Sequence, residues 1–197
     1  MSQGERIFAY IDKGGEETIN KWCLPSFLCD CFPLPTAAVT TECFDGCFGS
    51  VTVSAISTSS LPYGGMARIL IAWLASKVYY ERAHEVSINV FGSEFLEEIG
   101  FQFWDRYEIA EQMERISKTS FFIVREGAAG KETNTIVLAK NMSREKRRDS
   151  DIFNISLHKS FIDAVQKDSV AMLASLMRYK SNDPVFIDTY MRLALSK

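Results

Sequence analysis

The chain has 197 residues, 47% of them apolar and 24% charged, which is enough to bury a core in one large domain or two small ones without a disulfide or a metal. A formal net charge of −3 excludes a protein coated in basic surface. The longest apolar region, residues 64–74, is interrupted by Arg68 and is too short to cross a bilayer, so no membrane association is expected.

Charge is nevertheless unevenly spread. Residues 1–60 carry 3 Lys or Arg against 7 Asp or Glu, whereas residues 102–150 carry 10 against 8. The excess of basic charge is therefore local and slight, and distribution matters more than the total. The 5 cysteines, Cys23, Cys29, Cys31, Cys43 and Cys47, all precede Gly49. The C-x-C pair is too tight for a zinc knuckle and leaves the C-x3-C pair without a second knuckle of suitable spacing, so no metal is expected. Without a signal peptide at MSQGERIF, free or buried thiols in a reducing cytoplasm are the reading.

In chain order, residues 1–60 lack a sustained helical period. Arg6 to Ile11 and Val51 to Ile56 read as strands, and Pro33 and Pro35 keep the chain between them extended. After Pro62-Tyr63-Gly64 the residues Ile69, Leu70, Trp73, Leu74 and Val78 recur at helical spacing, with Arg68 and Lys77 off the stripe. Glu85 to Val90 alternates as a short strand. Ser93 is placed to cap a short helix burying Phe95, Leu96 and Ile99, and Gly100 ends it. Asp105 with Glu108 forms a capping-box pattern for a second helix, whose apolar seam is Ile109, Ala110, Met113 and Ile116.

Thr119 to Val124 and Thr133 to Leu138 then read as two strands joined by the glycine-containing stretch Arg125 to Lys131, the expected wing. Lys140 to Asp151 is polar without a packing period and reads as a loop. A strand near Ile152 to Leu157 and helical spacings over Lys159 to Val165 and Val170 to Tyr179 follow. Ser181-Asn182-Asp183-Pro184 starts a last helix, Pro184 to Leu195, expected to dock on the helix after Gly64. The predicted fold class is α+β, a winged helix-turn-helix with additional N-terminal strands and C-terminal helices. Residues 1–60 are expected to form an arm and edge strands packed on a main domain of residues 61–197.

A helix-turn-helix reads duplex DNA through its second helix, and paired hydrogen bonds from Gln or Arg to base edges are the usual means. Gln112, Arg115, Lys118, Arg106 and Thr119 are therefore the groove-facing candidates, against the reading that they are ordinary solvated positions. Glu108, Glu111 and Glu114 on the same helix oppose a phosphate backbone. Lys131, Arg144, Lys146, Arg147 and Arg148 are candidate backbone contacts, although a charged run needs no function to be tolerated. Tyr79, Tyr80, Phe101, Phe103, Trp104 and Tyr107 read as core or dimer interface. Phe121 and Phe122 alternate on a strand, so one is expected inside and the other exposed, which favours a homodimer. The sequence offers 2 histidines, no nucleophile elbow and no phosphate loop, so neither an enzyme nor a cofactor is expected.

Leu61-Pro62-Tyr63-Gly64, with Ala67-Arg68 and Leu70 to Trp73, resembles the opening of the plasmid replication initiator family usually called RepA. Gly92-Ser93-Glu94-Phe95-Leu96 with Gly100 continues the resemblance, and Glu111-Gln112-Met113-Glu114-Arg115-Ile116 resembles that family's third-helix signature. Leu157 to Phe161 and Pro184 to Leu195, including Asp188 and Tyr190, resemble its closing segments. The resemblance runs over about the last two thirds of the chain, carried by the order of motifs rather than by any one of them.

It implies a first winged-helix domain of an initiator that binds directly repeated duplex sites in a plasmid origin, helps open the adjacent AT-rich duplex and recruits a host initiator and replicative helicase. A cytoplasmic homodimer is implied, and a second winged helix, common in that family, is not expected within these residues. The alternatives are a dimerisation or protein-interaction module on the same fold and a transcriptional autorepressor.

Overall fold

The computed structural model describes residues 21–30, 32, 34–38, 43–48, 51–127 and 130–195. The strand expected at Arg6 to Ile11, Cys31 and Pro33 lie outside them. The element order is β1 (Lys21–Pro25), α1 (Ser26–Asp30), β2 (Cys43–Phe48), β3 (Val51–Ser57), α2 (Gly64–Glu81), β4 (Glu85–Asn89), α3 (Ser93–Ile99) and, after a 3-10 turn at Phe103–Asp105, α4 (Arg106–Ser117). There follow β5 (Thr119–Gly127), β6 (Gly130–Val137), β7 (Ala139–Lys146), β8 (Asp151–Leu157), α5 (Lys159–Lys167), β9 (Ser169–Leu173), α6 (Ala174–Tyr179) and α7 (Pro184–Leu195).

Helix α2 is the axis of the molecule. Every residue from Gly65 to Ser76 is buried, with Val78 beyond them. The sequence predicts one apolar stripe, but a helix apolar almost all round is one enclosed by other elements. Arg68 departs most from that expectation: it is 1% exposed rather than lying off the buried face. Its Nε donates to Asp188 Oδ1 at 2.6 Å and its Nη2 to Asp188 Oδ2 at 2.9 Å. The remaining N–H groups donate to the carbonyls of Leu34 (2.9 Å), Gly64 (2.9 Å) and Pro35 (3.3 Å). All five guanidinium donors thus have acceptors, which is the condition for burying this charge without a large penalty. The pairing fixes α7 on α2, as the sequence led us to expect. Gly65 permits the approach, because a Cβ there would meet the Ser181 carbonyl oxygen at 1.8 Å.

The described residues form three sheets: the pair β1-β9, whose β1 packs on α2, and two larger ones. The order β4-β8-β7 forms one, and β2-β3-β5-β6 the other. Strand β4 follows α2, the pair α3 and α4 comes next, and the β7–β8 hairpin returns to pair with β4. That is the winged helix-turn-helix arrangement, in which the hairpin closing the small sheet is the wing. The wing is therefore β7–β8, not the β5–β6 hairpin predicted at Thr119 to Leu138. The β5–β6 hairpin is inserted between α4 and the wing and pairs with β3 of the N-terminal segment. The run Lys140 to Asp151 correspondingly forms a strand and the hairpin tip instead of a loop. Sequence missed it because Ala139–Lys146 is exposed along nearly its whole length, so its composition lacks the alternation of a half-buried strand.

Other local expectations shift by small amounts. Gly92, not Ser93, is the N-cap of α3, and Gly100 closes it in the left-handed region at φ 78°. Asp105 does cap, but for the 3-10 turn, reciprocally with Gln102, rather than with Glu108 for α4. Val170 to Leu173 is strand rather than helix, because β9 pairs antiparallel with β1; helix resumes only at Ala174. The start of α7 is as predicted, with Asp183 Oδ1 accepting from the Phe186 N–H at 2.9 Å. Val51–Ser57 is a strand, and Phe121 is buried while Phe122 is 39% exposed, as the alternation required. No helix among the described residues is long and apolar enough to cross a membrane.

Candidate nucleic-acid interface

Helix α4 buries its predicted seam completely: Ile109, Ala110, Met113 and Ile116 are at most 2% exposed. Gln112 is buried with them, at 0%. Its Oε1 accepts from the Tyr63 N–H at 3.0 Å, holding the entry to α2, and its Nε2 has no partner. Gln112 therefore does not face a groove. Its position one residue before Met113 places it at the edge of the seam, where α4 meets the Leu61-Pro62-Tyr63 turn. Thr119 is likewise fully buried, its hydroxyl donating to the Arg115 carbonyl at 2.8 Å at the start of β5.

Arg115 is only partly accessible. It donates to the Leu61 carbonyl at 3.0 Å, pairs with Glu111 one turn back, and lies 5.1 Å over the Tyr63 ring. Arg106 is half-buried, stacked 5.0 Å over Phe91 and 4.6 Å over Tyr107. Lys118, just past the end of α4, is exposed. The outward surface of α4 is thus Tyr107, Glu108 and Glu111, two of the three acidic. The Glu108 carboxyl has its pKa raised, first by partial burial and then by the charges of Asp105 and Glu111.

The wing is built differently. Arg144 on β7 reaches Asp151 on β8 with both arms, at 2.7 and 2.6 Å, and also pairs with Glu114 on α4. Asp151 is fully buried, and Arg144 lies 5.0 Å over the Phe153 ring. Hydrogen bonding to Asp151 is the main cause of the raised Arg144 pKa, with Glu114 adding to it against the cost of burial. Arg144 is an exposed residue that clamps the wing to the helix, its charge shared between Asp151 and Glu114. Past it, the hairpin closes through Lys146 opposite Asp151 and the Arg147 N–H donating to the Ser150 carbonyl at 2.8 Å.

Lys146, Arg147 and Arg148 are all exposed at this tip. Arg147 pairs with Glu145; Lys146 and Arg148 have no ion pair among the described residues. Lys131, also exposed, sits at the other hairpin, opposite Glu126 in a different sheet. Of the ten sequence candidates, the structure brings Lys146, Arg147 and Arg148 together, with Arg144 tethering them to α4. It separates Lys131 from them and removes Gln112 and Thr119 from the surface. Glu114 and Asp151, which hold the wing against the helix, were not identified from sequence, since only the hairpin pairing reveals that Arg144 faces both.

Trp104 (74% exposed) and Tyr107 (59%) lie at the start of α4, and Phe101 is buried. Tyr79 and Tyr80 stack edge-to-face at the end of α2 and are 39% and 47% exposed. Cys23 and Cys29 are buried, and burial pushes the Cys23 thiol pKa up to about 11. Among the described residues no three His, Cys, Asp or Glu are grouped to hold a metal ion.

Comparison with protein-family models gives no match, and neither does comparison with curated protein sequences. Among solved structures, the chain is similar to a selenomethionine crystal structure of domains 2 and 3 of RctB, with a TM-score of 0.64 at 9% identity over 88% of this chain and 71% of that one. A second crystal structure of RctB domains 2–3 gives a TM-score of 0.50 at 10% identity, over 72% of this chain and 59% of that one. At such identities it is the fold that is shared: an α+β winged-helix-type architecture with N-terminal strands and C-terminal helices.

Proposed function

We propose that this chain binds duplex DNA as a replication initiator, with the β7–β8 wing making the principal phosphate contacts. The observation that carries this reading is the wing tip itself. Among the described residues Lys146 and Arg148 have no ion pair, and they project from a hairpin whose base is fixed to α4 by the Arg144 contacts with Asp151 and Glu114. A fixed hairpin presents cations in one geometry, which lowers the ordering cost of binding. Phosphate contacts set position and affinity, whereas base reading falls to side chains on a helix or strand entering a groove. On α4 and at its C-cap those are Tyr107, the accessible part of Arg115, and Lys118; Arg106 is committed to ring stacking.

The initiator role, including origin repeats, opening of adjacent AT-rich duplex and recruitment of host initiator and helicase, rests on the resemblance of the motifs between Leu61 and Leu195 to that family. The test is binding to labelled duplex from the cognate plasmid origin, titrated with salt and with unrelated DNA as competitor. The reading requires selective binding whose salt dependence drops by about 2 in log-log slope when Lys146 and Arg148 are both replaced by Ala, since each phosphate contact contributes roughly 0.9. Absence of selective binding would reject it and favour a protein-interaction module. The acidic outward face of α4 supports that second reading. An autorepressor would use the same surface and is separated from an initiator by the DNA site selected.

A further inference from the structure

On the side of the small sheet away from the wing, β4 is an edge strand, because the order is β4-β8-β7. Two hydrogen bonds fix which way its backbone faces. The Leu157 N–H donates to the His84 carbonyl at 2.8 Å, and the Val90 N–H donates to the Asp151 carbonyl at 3.0 Å. Backbone groups of an antiparallel strand alternate between neighbours, so His84, Val86, Ile88 and Val90 face β8. Glu85 and Ser87 therefore present N–H and C=O groups to the open side, and no backbone partner reaches them there among the described residues.

That edge lines a groove of about 550 Å³ between the C-terminal half of α2 and helix α3, with Trp73, Glu81, Glu94 and Glu98 on its other walls. A second groove of about 320 Å³ continues past Trp73 and Glu98 towards Trp22 and Tyr80. Trp73 is 3% exposed, lines both grooves, and its Nε1 is a buried donor with no acceptor. The chemistry the place accepts is visible in its own lysine: Lys77 Nζ lies 2.7 Å from Glu81, 3.0 Å from Glu98 and 5.2 Å over the Trp73 ring. Glu94 is exposed beside it without an ion pair among the described residues.

An open strand edge calls for an extended chain, carboxylates around it call for cations, and both together repel a nucleic acid. We propose that this groove binds an extended Lys- or Arg-bearing segment of a partner protein, added as a fourth strand beside β4. Its backbone pairs with Glu85 and Ser87, and a basic side chain lies against Glu94, beside the Glu81 and Glu98 carboxylates that Lys77 already bridges. This is recognition by strand addition, where main-chain bonds give affinity and alternate side chains give specificity. The surface is separate from the wing, so a partner bound here leaves Lys146 and Arg148 accessible.

The experiment selects short random peptides on the full chain and measures the recovered peptides by fluorescence anisotropy. Recovered sequences should alternate basic with β-branched or aromatic residues. Affinity should fall about tenfold or more for a Glu94→Lys/Glu98→Lys double variant, as like charges replace opposite ones. Methylating alternate backbone amides of a recovered peptide should abolish binding in one register and spare it in the other, a readout that leaves the protein untouched. Ser87→Pro should weaken binding similarly, because it deletes an outward N–H while the ladder to β8 stays intact. Recovery of no sequence above background, of sequences without basic residues, or of peptides indifferent to amide methylation and to the glutamate substitutions would each overturn the proposal.

Discussion

Helix α4 and the β7–β8 hairpin carry similar charged residues and dispose of them in opposite ways. On α4, positions four apart share a face, so Glu111 meets Arg115 and the helix neutralises its own cation. On the hairpin, successive side chains point to opposite sides, and the tip has too few neighbours to match every charge. Arg144 and Arg147 form ion pairs, and among the described residues Lys146 and Arg148 form none. A helix with both signs of charge is a poor source of free cations even where it stands in the reading position. A short hairpin is a good one.

That contrast is open to attack at several points. The largest effect lies beneath both regions: Arg68→Ala leaves Asp188 without its cation and opens a hole in the α2 core, and should lower unfolding free energy by about 3–5 kcal/mol in urea denaturation. A near-neutral result would remove the frame on which both surfaces are placed. Next, Lys146→Ala/Arg148→Ala should weaken duplex binding about tenfold to a hundredfold near 0.1 M salt, with the melting temperature unchanged. Equal loss on destabilised protein would mean the tip is structural.

Arg115→Ala sharpens the comparison from the other side. Losing its bond to the Leu61 carbonyl should cost about 1–2 kcal/mol of stability, while Lys118→Ala, exposed and unpaired, should cost under about 0.5 kcal/mol. Affinity lost in Arg115→Ala beyond what its lower stability explains would restore α4 as a reader. The smallest effect concerns Glu108. Its folded pKa is raised, so the folded state binds a proton more readily than the unfolded one. Stability then rises as pH falls through that raised value and stops rising below the ordinary carboxylate pKa. Glu108→Gln should flatten that part of the stability profile and tighten DNA binding about twofold to threefold by removing a repelled charge.

Much of the fold was legible. Helices α3, α4 and α7 follow from apolar spacing with caps or glycine stops, and those signals act locally. What escaped was long-range pairing. Exposed Thr and charged residues in Gly130–Val137 and Ala139–Lys146 look alike, yet one strand joins the N-terminal sheet and the other the wing, a choice made by partners distant in sequence. Val170 to Leu173 has helical spacing but lies beside β1, and the ladder overrides propensity. At the candidate site, residue type showed which side chains carry suitable chemistry and not which of them are accessible, so Gln112 and Thr119 stood among the candidates although both are buried. Gln112 and Arg115 have the chemistry to read bases, but each makes one hydrogen bond to the turn at Leu61 to Tyr63, which leaves Gln112 buried and Arg115 only partly accessible.

The enclosure of Arg68 by Asp188, 120 residues further along the chain, has a consequence for synthesis. While the ribosome has yet to deliver α7, the central helix holds a guanidinium that cannot be left dry without its counter-charge. Helix α2 must therefore stay loosely packed, with that side chain hydrated, until the carboxylate arrives. Closure of the core therefore waits on Asp188, and a chain truncated before that residue is expected to be cleaved faster than the full chain in limited proteolysis.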